Sequence, residues 1–431
     1  MYKQAIWDVT SKCNLRCRHC YAAAKYDNAK ALSSDLTLAD AKKVLENLKA
    51  MGFVNILLLG GEPLYRKDIF DILEYASLLD LNIMINTNGT FLNKEYSLRL
   101  LNFNVSQISF SLEGTSSKIH ECIAGNGTFK KTLLGIETFM NECKKANKNV
   151  LTGIQYTLTK PNLCDTSNFL DFALSVGVNG FSVNFLDNNG RVRDNKDLMI
   201  TPEEYIDALE VIFDSVAKSD KITDPDFLIQ VSGRQMIIEY LSEKYNFNIS
   251  TSPTGYLCPA GTNVVLVEND GTITPCGVAN NRLFYNSKYI IENLNILQLS
   301  STDSLYETKF FDSFIEFKKK RNSVCGNCLY AESCQICPIL YETEIVLCQV
   351  AQKRYKQWRE IEENKKLNLI INPELYLLVE SNFSKQILKY FTQDMTLSEI
   401  AELISNETLE PLESVRNDLW EFYRCINKFK W

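Results

Sequence analysis

The chain has 431 residues, 45% hydrophobic and 23% charged, a balance that supports a sizeable packed core and excludes global disorder. Its length suits about three domains. No apolar run approaches the ~18 residues of a membrane helix, and Met1 to Thr10 lacks the basic-then-apolar layout of a secretion signal, so a cytoplasmic location with no membrane partner is expected. With 46 basic and 53 acidic residues the net charge is -7, which offers no global positive field to a nucleic acid.

From Ala5 to about residue 215, short apolar runs alternate with amphipathic helical patterns. The strands read as Ile6–Thr10, Val54–Leu59, Ile83–Ile85, Ser106–Ser111, Thr152–Thr157 and Phe181–Phe185. Thr37 ahead of Asp40 marks a helix start, and Gly52 its stop. Regular βα alternation predicts parallel strands with right-handed crossovers. Six units curl into a partial (β/α)6 barrel of TIM type, with chemistry at the C-terminal ends of its strands.

Residues 258–350 turn to short segments and seven cysteines, too loop-rich for a conventional core without internal ties. The fourteen cysteines of a cytosolic chain stay reduced, so metal ligation is the leading use for clustered thiols. Gln352 to Lys366 is charge-dense and reads as a solvated helical linker. Beyond it, Leu367–Ile371 and Leu375–Val379 flank Asn372-Pro373 as two strands around a turn. Thr396 and Glu399 form a capping-box pattern, and Pro411 opens a helix carrying Leu412, Val415, Leu419 and Phe422. This tail reads as a small winged-helix-like α+β domain. The expected divisions are 1–217 (barrel), 218–257 (bridge), 258–350 (Cys-rich domain), 351–366 (linker) and 367–431 (tail).

Cys13, Cys17 and Cys20 form C-x3-C-x2-C directly after the first strand. Three thiolates in one short loop can hold a four-iron cluster while leaving one iron open; a zinc site completed by His19 is the alternative. Gly60-Gly61-Glu62-Pro63 ends the second strand, where two glycines admit a ligand close to the backbone and Glu62 offers a carboxylate to an ammonium. Asn86, Thr87 and Asn88 end the third strand, and Ser109 and Ser111 the fourth, placing amides and hydroxyls at the barrel mouth where a ribose could be bound. Turn chemistry and strand-end capping explain the same residues without a ligand.

These residues together resemble the radical S-adenosylmethionine (SAM) enzymes. The resemblance implies that the open iron is chelated by the amino and carboxylate groups of SAM. One electron then cleaves the sulfonium to methionine and a 5′-deoxyadenosyl radical. It implies that Gly60-Gly61-Glu62-Pro63 binds the methionine amino group and that His19 lies near the adenine, where the family usually has an aromatic or apolar residue. Glu113 stands where relatives usually have Asp, and Ala124 where they often have an Arg for the SAM carboxylate.

The later cysteines read C-x12-G-x4-C, then C-x2-C-x5-C-x2-C-x10-C, from Cys258 to Cys348. Zinc ribbons would need more ligands than these thiols and two histidines supply. The pattern resembles the SPASM domain of peptide-modifying radical SAM enzymes, which holds two auxiliary 4Fe-4S clusters. Transferred by order, one uses Cys325, Cys328, Cys334 and Cys348, and the other Cys258, Cys276 and Cys337. The second set is one thiol short, which implies an iron open to a substrate thiolate or closed by water or another side chain.

The tail weakly resembles the leader-binding domain of enzymes that modify ribosomally made peptides, where the peptide adds as a strand to a sheet edge; a merely stabilising helical cap is the alternative. Taken together, the resemblances imply a peptide maturase with three 4Fe-4S clusters and SAM, acting on a precursor peptide through its leader and drawing electrons from a flavodoxin or ferredoxin. Its product would be a thioether or carbon–carbon crosslink. A haem-biosynthesis enzyme, an anaerobic sulfatase-maturing enzyme and a non-catalytic metal scaffold are the alternatives.

Overall fold

The computed structural model describes residues 3–22, 35–188, 190–222, 227–233, 235–247, 249, 260–261, 263–276, 294–299, 334, 341–364 and 395–428. The chain divides into two compact units, one of Met1–Ile238 with Asn248–Cys348 and one of Glu239–Phe247 with Gln349–Trp431.

The first unit is built on strands β1 (Lys3–Asp8), β2 (Phe53–Leu59), β3 (Asn82–Thr87), β4 (Val105–Ser111), β5 (Leu151–Thr157), β6 (Gly180–Asn184), β7 (Leu228–Val231), β8 (Val264–Val267) and β9 (Ile273–Thr274). Their order is β7-β6-β5-β4-β3-β2-β1-β8-β9. Every neighbouring pair is parallel except β8–β9. This α/β architecture is consistent with a partial TIM barrel.

The six strands expected from sequence are present, and β7, β8 and β9 extend the sheet at its two ends. The first strand begins earlier than Ile6 and ends at Asp8 rather than Thr10. Thr10 leaves the strand because its hydroxyl donates to Asp35 Oδ2 at 2.7 Å.

Helices α1 (Leu38–Ala50), α2 (Ile69–Leu78), α3 (Lys94–Leu100), α4 (Ser117–Ala124), α5 (Thr128–Ala146), α6 (Thr166–Val176) and α7 (Pro202–Ala217) intervene between strands β1 to β7. The start of α1 follows the predicted chemistry: Thr37 Oγ1 accepts from Asp40 N at 3.2 Å, meeting one of the four orphan donors of a helix start. At its end Gly52 takes a φ of +84°, the left-handed region that closes helices.

Alternation along the strands sorts the two faces. On β5, Thr152, Ile154 and Tyr156 are buried. Tyr156 stacks on Phe169 of α6 with ring centroids 3.8 Å apart, and Phe169 meets Phe181 of β6 edge-on at 5.2 Å. Gly153, Gln155 and Thr157 take the opposite face, away from this helical layer.

In the second unit, α9 (Leu397–Thr408) and α10 (Leu412–Lys428) pack with α8 (Tyr341–Glu363). Leu397, Ile400, Ile404, Val415, Leu419 and Trp420 form a core, with Trp358 edge-on to Trp420 at 5.5 Å. The capping box is present: Thr396 Oγ1 accepts from Glu399 N and Glu399 Oε2 from Thr396 N, at 3.1 and 2.7 Å. Glu363, in the stretch expected to be solvated, is buried because Arg359 and Arg416 both pair with it. The predicted strands at 367–371 and 375–379 lie outside the described residues.

Phe169 is fully buried between sheet and helices. Phe169→Ala should lower unfolding stability by about 3–5 kcal/mol; chemical denaturation measures it, and a loss below about 1 kcal/mol would contradict this packing.

Candidate functional site

The cysteine loop leaves β1 and is laced to the end of β2 by backbone. Gly61 N donates to Thr10 O and Glu62 N to Lys12 O, both at 2.8 Å. This contact requires the two glycines. Gly60 has a φ of +122°, and a Cβ on Gly61 would stand 2.1 Å from Lys12 O, so any side chain there pushes the loop away.

Further ties hold the loop from the outside. Asp35 accepts from Ser11 N at 2.8 Å as well as from the Thr10 hydroxyl. Arg66, buried, donates to Val9 O at 2.5 Å and to Leu36 O at 2.7 Å. Arg18 N bonds Ile123 O at 2.8 Å, while the Arg18 guanidinium pairs with Asp197 at 2.7 Å. Arg191, in the loop after β6, donates from its backbone to Cys20 O and from its guanidinium to Cys17 O, both at 3.1 Å.

The three thiols share one place. Negative charge on Cys20 would raise both Cys13 and Cys17, and that on Cys13 would raise Cys17. Desolvation in the loop is the larger cause, and pushes the Cys13 thiol up to about 11 and the Cys17 thiol further in the same direction, while the Arg191 charge opposes both shifts. Without a metal the loop therefore favours thiols; bound iron would reverse that balance, since a coordinating thiol is deprotonated.

Glu62 is 1% exposed. Its Oε1 accepts from Leu64 N at 3.0 Å and Thr87 Oγ1 at 2.7 Å, and its Oε2 from Asn88 N at 2.8 Å. Asn88 Nδ2 also donates to Asn14 Oδ1 at 3.0 Å and lies 4.0 Å from Cys13 Sγ. Glu62, Thr87, Asn88 and the cysteine loop thus form one network. Pro63 is buried and opens the short turn that aims Glu62.

Asn86 and Ser109 are register partners on β3 and β4, and Ser109 Oγ accepts from Gln107 Nε2 at 3.2 Å. Ser111 ends β4 half-buried. His19 does not join the thiols through Nε2; that atom lies 3.2 Å from Glu113 Oε1. Two of the three departures from the family pattern, His19 and Glu113, therefore lie against each other.

Cys276, Cys334 and Cys348 are half-buried. Cys258, Cys325, Cys328 and Cys337 lie outside the described residues. Among the described residues no three Cys, His, Asp or Glu side chains converge tightly enough for a single metal ion; a four-iron cage spreads its ligands wider than a single ion does. No helix among the described residues is long and apolar enough to cross a membrane.

Residues 7–173 match the Radical SAM superfamily. This stretch of the chain is a Radical SAM domain. The chain is 29% identical to an AdoMet-dependent heme synthase of Methanosarcina barkeri, over 63% of this chain and 75% of that protein. It is 23% identical to the mycofactocin maturase MftC of Mycolicibacterium smegmatis, over 76% of each. Among solved structures it resembles Streptococcus suis SuiB bound to precursor peptide SuiA, with a TM-score of 0.59 and 18% identity over 78% of this chain and 72% of SuiB. At that identity the likeness concerns the fold.

The residues fit the cofactor of such an enzyme. Glu62 is a buried carboxylate with no cation of its own among the bonds above, suited to the ammonium of SAM, and the glycine lacing leaves it directly beneath the cysteine loop. Asp35, Arg66 and Arg191 are functional residues that sequence reasoning missed. Only Arg191 had a usable signal, as a cation just past the end of a barrel strand.

Burial pushes the Glu62 carboxyl up to about 7 against the lowering effect of its three donors. The folded state thus holds this proton more tightly than the unfolded chain, so the group lowers stability as pH rises from about 4.5 to about 7, with no further change above. In cluster-free protein, Glu62→Gln should remove this slope and gain on the order of 3 kcal/mol relative to wild type between pH 4.5 and 8. Urea unfolding at both pH values measures it, and an identical pH dependence in the two proteins would contradict the assignment.

Proposed function

We propose that this radical SAM enzyme is a peptide maturase that abstracts hydrogen from a ribosomally made precursor and closes a thioether or carbon–carbon crosslink. The supporting observation is the lining of the curved sheet's inner side. Gln107, Ser109, Gln155, Ser182 and Gln230 border a small cavity of about 70 Å³ that also meets Leu151, Ile154, Phe181 and Leu228 near the starts of β5 to β7 and has no charged residue among its described lining. Ser182 Oγ donates to Gln230 Oε1 and Asn184 Nδ2 to Gln155 Oε1, each at 3.1 Å. Amides and hydroxyls both donate and accept, as a peptide main chain requires. A carboxylate-bearing macrocycle would call for cations instead.

When bound, a reduced 4Fe-4S cluster with SAM on its open iron supplies the 5′-deoxyadenosyl radical. The chain's part is to hold it: Cys13, Cys17 and Cys20 as cluster ligands, Glu62 with Thr87 and Asn88 beneath the SAM ammonium, and His19 at the nucleoside. Crosslink closure removes two hydrogens from the peptide, one as an atom taken by the radical and one as a proton plus an electron. Two auxiliary clusters in 258–350, ligated by Cys258, Cys276 and Cys337 and by Cys325, Cys328, Cys334 and Cys348, would accept that electron. Residues 367–431 would bind the leader, and a flavodoxin or ferredoxin would deliver the initiating electron. MftC is named as a maturase and SuiB is bound to a precursor peptide, and both support this reading.

Haem biosynthesis is the rival, favoured by the heme synthase identity. Anoxic turnover with SAM and dithionite decides between them. The peptide encoded beside this gene should lose the mass of two hydrogens per crosslink while 5′-deoxyadenosine forms. Turnover of an iron porphyrin with no change in the peptide would overturn the proposal.

A further inference from the structure

Glu113 follows β4, and each of its four polar atoms meets a different partner. Its Oε1 lies 3.2 Å from His19 Nε2, and its Oε2 accepts from Thr157 N at 3.0 Å. Its backbone N–H donates to His120 Nδ1 at 3.0 Å, and its C=O accepts from Asn162 Nδ2 at 3.1 Å. The chain has two histidines, and both meet this one residue.

Three of these contacts are architectural. Thr157 ends β5, Asn162 lies in the turn after it, and His120 is on α4, so together they fix where β4 and β5 end. A carboxylate that is 2% exposed is costly unless its lone pairs are met, and Thr157 meets only one oxygen. The other faces His19, in the loop between Cys17 and Cys20.

His19 carries a second observation. Its Nδ1 is buried and, among the described residues, has no hydrogen-bond partner. Leaving such an atom unpaired is costly, and a buried orphan beside a cofactor loop marks a place where a bound group completes the pairing. When the ring gives its Nε2 hydrogen to the carboxylate and Nδ1 carries none, Nδ1 offers a lone pair, and the group that matches it is a donor.

We propose that Glu113 is a positioning residue for SAM: by holding His19 through Nε2 it sets the ring so that Nδ1 accepts a hydrogen bond from the nucleoside portion of the bound cofactor. This rests on the reading of Cys13, Cys17 and Cys20 as the SAM-cluster ligands. An aspartate would fall one methylene short of His19 while holding Thr157 N, so side-chain length at this position is part of the device.

The test uses the full chain, cluster-reconstituted and matched for iron, as wild type, Glu113→Gln, Glu113→Asp, His19→Phe and the double variant Glu113→Gln/His19→Phe. Titration calorimetry gives the SAM dissociation constant, and electron paramagnetic resonance of the reduced cluster reports whether SAM alters its spectrum. Each single variant should bind SAM about tenfold more weakly, and the double variant no more weakly than His19→Phe, because all break one contact. SAM analogues lacking the 6-amino group or the 2′-hydroxyl name the donor: one of them should bind wild type about tenfold more weakly than SAM and bind His19→Phe as SAM does. Unchanged SAM affinity in iron-loaded His19→Phe, or additive losses in the double variant, would overturn the proposal. If Glu113→Gln does not take up iron, Glu113→Asp and the analogue series on His19→Phe decide it alone. Iron-loaded wild type that binds no SAM would overturn the site reading itself.

Discussion

Two backbone hydrogen bonds carry the rest of the site: Gly61 N to Thr10 O and Glu62 N to Lys12 O. They pin the cysteine loop to the end of β2, and they exist only because the chain has no side chain at residues 60 and 61. The same lacing that brings the loop close sets the Glu62 carboxylate beneath it. Cluster ligands and ammonium site are thus built by one contact between neighbouring parallel strands, and the ties from Asp35, Arg66 and Arg191 hold it from outside.

The electrostatics follow from that closeness. Burial raises the proton affinity of Cys13, Cys17 and Glu62, and neighbouring negative charges add a smaller push at the two cysteines, so the unliganded site resists the charges it is built to carry. Positive partners, iron for the thiolates and an ammonium for the carboxylate, relieve both. Arg191 supplies the protein's own contribution, lowering both cysteines from the far side of the loop.

Much of this was readable in the chain because it is local. β2 to β6 are buried on one face and appear as apolar runs, and the cysteines and Gly60-Gly61-Glu62-Pro63 are contiguous. β7 escaped notice because it has four residues with Leu228 and Gln230 exposed, so it lacks a buried strand's run. Arg66, Asp35 and Arg191 escaped because their partners are backbone groups and side chains far along the chain, which no spacing encodes. Thr396 and Glu399 were legible because a capping box is complete within four residues.

Iron counted per chain tests the central claim most directly. Anoxically reconstituted wild type should hold about 12 irons with matching sulfide, and a variant with Cys13, Cys17 and Cys20 all replaced by Ala about 8, one four-iron cluster fewer. An unchanged iron count in that variant, or zinc in place of iron in the wild type, would contradict the account.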